Sequence, residues 1–150
     1  MAAETPVTCS LVVKSEPSAL GRPCRQILAA LDAKGFSQDD IFAVHLALEE
    51  AFLNAVKHGN KMDSTKNVTV EYQVDEAKVE IRITDEGDGF DPGAIPDPRV
   101  GENLYRPEGR GLLLISSYMH AVEYSPQGNS LRMVRYRGRA VPNRRNGSAV

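Results

Sequence analysis

The 150-residue chain has the length of one ordinary domain, and its apolar and charged fractions, 41% and 25%, are typical of a soluble globular protein. A formal net charge of -2 provides no broad basic field for nucleic acid. The N-terminus lacks the features of a signal peptide, and no apolar run is long enough to span a bilayer. We therefore expect a cytoplasmic protein with no direct nucleic-acid or membrane partner. Cys9 and Cys24 are interpreted as free thiols, because they lack metal-ligand spacing.

The N-terminal half predicts one strand and two helices. Residues 7–13 alternate with a period of two, which indicates a strand with one buried face. Ser15 and Pro17 then favour the start of a helix that continues through Leu31, with Ser15 as its cap. Ser37 begins a second helix, in which apolar residues recur at helical spacing over residues 41–58.

The C-terminal half predicts a hairpin, a long loop, a helix and a second hairpin. Residues 68–74 and 79–83 alternate as two antiparallel strands, and the aperiodic, proline-containing loop follows at residues 90–108. A helix is predicted at residues 111–118. Two short strands are predicted last, at residues 121–124 and 131–136.

This order predicts an α+β fold, a two-layer sandwich in which a mixed, mostly antiparallel sheet is covered by helices on one face. Residues 1–137 form the single predicted domain. Residues 138–150 have no apolar face and are predicted to be a disordered tail.

Three segments carry residues suited to nucleotide chemistry. Glu50, Asn54 and His58 are spaced by four on one flank of the second helix, where a carboxylate and an amide can hold magnesium and a polarised hydroxyl. Asp85, with Gly87 and Gly89, follows a strand, so its carboxylate can accept a hydrogen bond from an exocyclic amine. Taken singly, these segments are more commonly explained as a solvated helix face and an acidic turn.

The third segment is Gly109, Arg110 and Gly111, at the start of the helix predicted near Leu112. Backbone N–H groups at a helix start, unobstructed by side chains, form an anion site suited to a triphosphate. By itself this pattern also fits a flexible turn.

The ordered combination of these three motifs resembles the GHKL ATPase superfamily, which includes gyrase, chaperone, histidine-kinase and mismatch-repair ATPases. Segment 49–59, EEAFLNAVKHG, is similar to the signature of anti-sigma-factor serine kinases. The resemblance covers residues 7–137 and implies the ATP-binding fold of that superfamily. The chain also lacks the P-loop signature and the catalytic motifs of eukaryotic-type kinases.

The resemblance implies a role for each matching residue. Glu50 would be the general base, Asn54 would bind Mg²⁺, and the loop of residues 90–108 would be a lid over ATP. The remaining implied nucleotide contacts are Lys57, His58, Asp85 with Gly87 and Gly89 at the adenine, Gly109, Arg110 and Gly111 at the phosphates, and Ser130 on the adenine side.

The resemblance also implies the activity and the partners. We expect a protein-serine kinase that phosphorylates an anti-anti-sigma antagonist of the STAS type, sequesters a sigma factor and forms a homodimer. A non-catalytic, nucleotide-responsive module that binds a regulator is the alternative. The ATP-binding half of a histidine kinase is disfavoured, because there is no room before residue 7 for a dimerisation segment with a phosphoacceptor histidine. A gyrase- or chaperone-type ATPase is disfavoured because a transducer domain is missing.

Overall fold

The computed structural model describes residues 5–87 and 107–142, without the side chains of residues 107–112. The strands are β1 (Val7–Lys14), β2 (Asn67–Val74), β3 (Lys78–Thr84), β4 (Ala121–Tyr124) and β5 (Ser130–Tyr136). The α-helices are α1 (Gly21–Ala33), α2 (Gln38–Asn54) and α3 (Pro107–Tyr118). The predicted helices and strands are therefore all present, with their ends shifted by a few residues.

The five described strands form one sheet in the order β1-β2-β3-β5-β4. Each neighbouring pair is antiparallel, so this part of the chain contains no parallel pair of the kind that a mixed sheet would include. The predicted α+β class is confirmed. Strand β3 lies at the centre of the sheet, and its end carries Asp85 into the region where the predicted site residues gather.

The core lies between the sheet and the helices. Along β2 and β3 every second residue is buried, as a strand with one covered face requires. Helix α2 contributes the fully buried Val44, Leu48 and Phe52 against this face. The opposite face of the sheet is polar, and there Arg132 pairs with Glu80 and Glu123. The helices thus cover one face of the sheet, as predicted.

Helix α1 begins differently from the prediction. A short 3₁₀ turn, Pro17–Leu20, precedes α1, and Glu16 rather than Ser15 occupies its N-cap position. Ser15 is buried, and its hydroxyl accepts a hydrogen bond from Asn60 Nδ2 at 3.1 Å. The predicted cap is wrong because this long-range contact engages the Ser15 side chain.

Helix α2 begins at a capping box that is also a buried ion pair. The Asp40 amide donates to Ser37 Oγ, and the Ser37 amide donates to Asp40 Oδ2. Asp40, only 2% exposed, also accepts hydrogen bonds from Arg135 Nε at 3.1 Å and from the Gly138 amide at 3.0 Å. The first residue of the predicted tail is therefore bound to the domain. Residues 143–150 lie outside the described residues, and their disorder stays a prediction.

Replacing Asp40 with Ala should lower the free energy of unfolding at pH 7 by about 3–5 kcal/mol, because Arg135 would lose its buried counter-charge. Burial alone would raise the pKa of Asp40, but the Gly138 amide and the Arg135 guanidinium outweigh it and lower that pKa. The stabilisation is therefore present above the unfolded-state pKa and is lost as pH falls through the lowered folded-state value. Urea titrations over a pH series measure both effects.

Asp39→Ala is the matched control, since Asp39 is an exposed acid in the same first turn. We expect it to lose less than about 1 kcal/mol, from the helix dipole alone. Equal losses in the two variants would contradict the structural role of the Asp40–Arg135 pair.

Candidate nucleotide-binding site

The C-terminal end of α2 brings the predicted helix motif to the end of β3. The α-helix ends at Asn54 and continues as a single π-helical turn, Ala55–Gly59. The Asn60 amide donates to the carbonyl of Ala55 at 2.8 Å, which closes this wider turn. The turn carries Gly59 and Asn60 to the loop that follows β3.

Asp85 is packed against this turn. Its Oδ1 accepts a hydrogen bond from the Gly87 amide at 2.8 Å, and its carboxylate lies against the Cα atom of Gly59. A methyl group at Gly59 would overlap the Asp85 side chain, and a methyl group at Gly87 would overlap the Gly59 carbonyl oxygen. Both glycines are therefore required for the close packing of the loop after β3 against the π-helical turn.

The surroundings of Asp85 disfavour its charge. Burial raises the pKa of Asp85 above its ordinary value, and the Gly87 amide and the Lys66 ammonium offset only part of that shift. Because the folded-state pKa is raised, the stability associated with Asp85 is greatest in acid and falls as pH rises through that value. Ionising Asp85 therefore costs more free energy in the folded domain than in the unfolded chain.

Asn60 binds the loop after β3 through a buried side-chain hydrogen bond. Its side chain is fully buried, and its Oδ1 accepts a hydrogen bond from the Glu86 amide at 2.8 Å. Its Nδ2 donates to Ser15 Oγ at 3.1 Å and to the Asn67 carbonyl at 3.0 Å. Glu86 Oε1 accepts a hydrogen bond from the Asn67 amide at 2.7 Å. Sequence analysis missed Asn60; the only local signal was a polar residue directly after the helix-ending glycine.

Ser130 is not brought to the Asp85 carboxylate. Its hydroxyl lies 2.8 Å from Thr84 Oγ1, and the two residues are a cross-strand pair on the face opposite Ile83. The neighbouring residue contacts Asp85 instead. The Asn129 carbonyl accepts a hydrogen bond from the Asp85 amide at 2.9 Å, and Asn129 Nδ2 donates to the Asp85 carbonyl at 3.5 Å.

A tyrosine lies near the same carboxylate. Burial and the charge of Asp85 both raise the pKa of Tyr124. Tyr124 is therefore an additional neighbour of the Asp85 end of the site. Neither Asn129 nor Tyr124 was predicted, because their approach to Asp85 depends on the pairing of β5 with both β3 and β4.

Glu50 and Asn54 lie one turn apart on α2 and are both half-buried. Within residues 5–87 and 107–142, neither side chain has a hydrogen-bond or ion-pair partner, so their oxygens are available to a ligand. Glu49 differs, because its Oε1 lies 2.9 Å from His45 Nε2. Lys57 and His58 are exposed in the π-helical turn.

The phosphate motif lies inside α3 rather than ahead of it. The helix begins at Pro107, a residue favoured in a first turn, so a start near Leu112 is wrong. Of the three, only the N–H group of Gly109 falls among the positions where an α-helix start leaves amides free, and the N–H groups of Arg110 and Gly111 lie one and two positions further on. Residues 88–106 lie outside the described residues, and they include Gly89 and residues 90–106 of the predicted lid.

The chemistry of these groups suits a nucleotide. An unpaired carboxylate and an amide oxygen on α2 can face phosphates, and a half-buried carboxylate at the other end of the site can accept from an amine. The described residues contain no cluster of three or more His, Cys, Asp or Glu side chains that could hold a metal by themselves. Magnesium needs no such cluster, because it binds through one or two protein oxygens with phosphates and water.

Comparison with known proteins decides the family. The Histidine kinase-like ATPase domain family matches residues 13–135. A protein of Listeria innocua named Serine-protein kinase RsbW is 36% identical over 137 residues, which cover 87% of this chain and 86% of that protein. The chain belongs to this family. It is therefore an ATP-binding domain of the kinase type, and the predicted resemblance is confirmed.

Other relatives agree. Proteins with the same name from Bacillus licheniformis and Staphylococcus aureus are 38% and 34% identical, over 65% and 68% of this chain and 66% and 69% of those proteins. A crystal structure of the RsbU and RsbW domains of Rv1364c from Mycobacterium tuberculosis matches with a TM-score of 0.60 at 16% identity. That match covers 89% of this chain but only 34% of the solved one, and it shows the fold alone.

Gly59→Ala should weaken ATP binding by about tenfold or more, because the added methyl group displaces the Asp85 carboxylate. Isothermal calorimetry measures the change. Gly21→Ala is the matched control, since a methyl group there meets only the flexible end of Arg25 and lies in a helix that favours alanine. Unchanged ATP affinity in the Gly59 variant would show that the packing of Gly59 against Asp85 is not needed for nucleotide binding.

Proposed function

We propose that this member of the family is an anti-sigma factor and protein-serine kinase that binds MgATP. It transfers the γ-phosphate to a serine of an anti-anti-sigma antagonist of the STAS type and sequesters a sigma factor. The observation that carries the proposal is that α2 presents Glu50 and Asn54 with no hydrogen-bond or ion-pair partner among the described residues, and that the π-helical turn after it contacts Asp85. The names of the relatives support the kinase reaction.

The dimensions of α2 suit the ligand. Glu50 and Gly59 are separated by about 13 Å along the helix at the usual rise per residue. An extended nucleoside triphosphate spans such a distance. Its adenine would lie at Asp85, Gly87 and Gly89, and its terminal phosphate near Glu50. In this orientation the reacting phosphate would lie at Glu50 and the adenine base at Asp85.

The phosphates need donors and a counter-charge. The Gly109 amide near the start of α3, together with Arg110 and Gly111, is proposed to contact them. Asn54 would hold Mg²⁺ through its side-chain oxygen, and Lys57 and His58 would contribute positive or donor groups beside it. Magnesium would supply charge neutralisation on the phosphates. Ser130, whose hydroxyl lies 2.8 Å from Thr84 Oγ1, is proposed to face the adenine side of the site.

Glu50 is proposed as the general base. Two adjacent glutamates occupy this turn of α2, and the structure distinguishes them, because Glu49 is paired with His45 whereas Glu50 has no partner among the described residues. A free carboxylate beside the terminal phosphate can accept the proton of an incoming serine hydroxyl. A module that only binds nucleotide has no need of a carboxylate at this position.

The remaining features of the proposal come from the family. They are cytoplasmic location, homodimerisation, and the absence of direct nucleic-acid or membrane binding. Among the described residues, no helix is long and apolar enough to cross a bilayer. The alternative, a non-catalytic module that sequesters a regulator in response to nucleotide, shares the pocket and differs only in lacking phosphoryl transfer.

Glu50→Gln should lower the rate of serine phosphorylation by about 100-fold or more, because the substitution removes the base and preserves the shape of the side chain. ATP affinity should stay within about threefold of wild type. Single-turnover transfer of radiolabelled phosphate to the antagonist, together with calorimetry on the same samples, separates the two effects.

Glu49→Gln is the matched control and should transfer phosphate at close to the wild-type rate. Equal rates in wild type and the Glu50 variant would refute the role of Glu50. A wild-type protein that binds ATP but transfers no phosphate would favour the sequestering module.

A further inference from the structure

The loop from Asp85 to Gly87 is held in place by few groups. The Gly87 amide hydrogen-bonds to Asp85 within the loop, and the carbonyl of Asn129, the residue before β5, accepts from the Asp85 amide. On the α2 side, the Glu86 amide donates to Asn60 Oδ1 at 2.8 Å. That bond joins Asn60, which follows the π-helical turn after α2, directly to Glu86 in the loop.

We propose that Asn60 is a positioning residue for adenine selectivity, which holds the Asp85–Gly87 loop so that the Asp85 carboxylate faces the exocyclic amine of the base. The inference rests on the proposed function, because it takes Asp85 as the group that recognises adenine. Asn60 itself makes no contact with the nucleotide. Its side chain is fully buried beneath the loop.

The fixed orientation of Asn60 supports this role. Its Nδ2 donates to both Ser15 Oγ and the Asn67 carbonyl, so all the strong hydrogen-bonding capacity on that side of the amide is used. The side chain cannot rotate without breaking those bonds, and Oδ1 is thereby fixed toward the Glu86 amide. Leaving that amide without an acceptor would allow the loop to move.

Adjacent packing converts a small movement of the loop into a movement of the carboxylate. The Gly59 carbonyl lies against the Cα atom of Gly87, and the Asp85 carboxylate lies against Gly59. Because Asp85 and Gly87 both pack against Gly59, a shift of the loop relative to Gly59 also shifts the carboxylate. A hydrogen bond from an amine requires a well-aligned acceptor, so displacement of Asp85 weakens recognition of adenine first.

The experiment compares the affinities of ATP and GTP in wild type, Asn60→Ala and Ser15→Ala by calorimetry with magnesium present. The ratio of the two affinities is the readout, because both nucleotides carry the same triphosphate and a general loss of folded protein affects them equally. Circular dichroism on the same samples establishes the folded fraction.

For Asn60→Ala we expect the preference for ATP over GTP to fall by about tenfold, since the Glu86 amide loses its acceptor. Ser15→Ala removes only a bond on the opposite side of the amide, so it should lower stability while the preference stays within about twofold of wild type. A preference unchanged in Asn60→Ala would overturn the inference. An equal fall in both variants would also overturn it, because it would indicate general loosening.

Asn60→Asp provides a second test, needed if Asn60→Ala does not fold. The aspartate keeps an acceptor for the Glu86 amide and can accept from the Ser15 hydroxyl, but it loses both bonds that Nδ2 donates, to Ser15 Oγ and to the Asn67 carbonyl. The preference should stay within about threefold of wild type. Loss of the preference in this variant would contradict positioning through the acceptor. A wild-type protein without any preference for ATP would refute the adenine assignment of Asp85 itself, which distinguishes failure of the proposed function from failure of this inference.

Discussion

The buried amide of Asn60 joins segments that are distant in sequence, and the geometry of the site depends on that junction. The same side chain bonds to Ser15 after β1, to Asn67 at the start of β2 and to Glu86 after β3. A fully buried amide is costly unless its donors and acceptors are satisfied, so the segments can adopt only a few relative positions. The position adopted places the end of α2 against Asp85.

The carboxylate of Asp85, which is proposed to bind adenine, lowers the stability of the fold when it is ionised. Burial raises the pKa of Asp85, so ionisation of its carboxylate lowers the stability of the empty domain. An exposed carboxylate would avoid that cost but would interact with water as readily as with a ligand amine. By contrast, the carboxylate of Asp40 has a lowered pKa and contributes to stability through Arg135 and the Gly138 amide. Burial raises the pKa of both carboxylates, but Arg135 and the Gly138 amide outweigh it at Asp40, whereas the Gly87 amide and Lys66 offset only part of it at Asp85.

Much of the fold could be predicted from the sequence, because helix and strand periodicity is a local property. The hairpin at residues 68–83 and the capping box at Ser37 are examples, and the order of the motifs was sufficient to indicate the family. Contacts between distant segments could not be predicted. Ser130 lies one residue from Asn129, but in a strand that single step moves a side chain to the opposite face. The contact of Gly59 with Asp85 likewise depends on a π-helical turn that no periodicity reveals.

The central claim is that Asp85 is retained for adenine rather than for the fold. Thermal unfolding of wild type and Asp85→Asn, each with and without MgATP, tests it most directly. Without nucleotide, the variant should melt at or above the wild-type temperature, because a neutral amide removes the cost of a buried charge. MgATP should raise the melting temperature of wild type but not that of the variant. A variant that melts well below wild type, or that is stabilised by MgATP as strongly as wild type, would contradict the account.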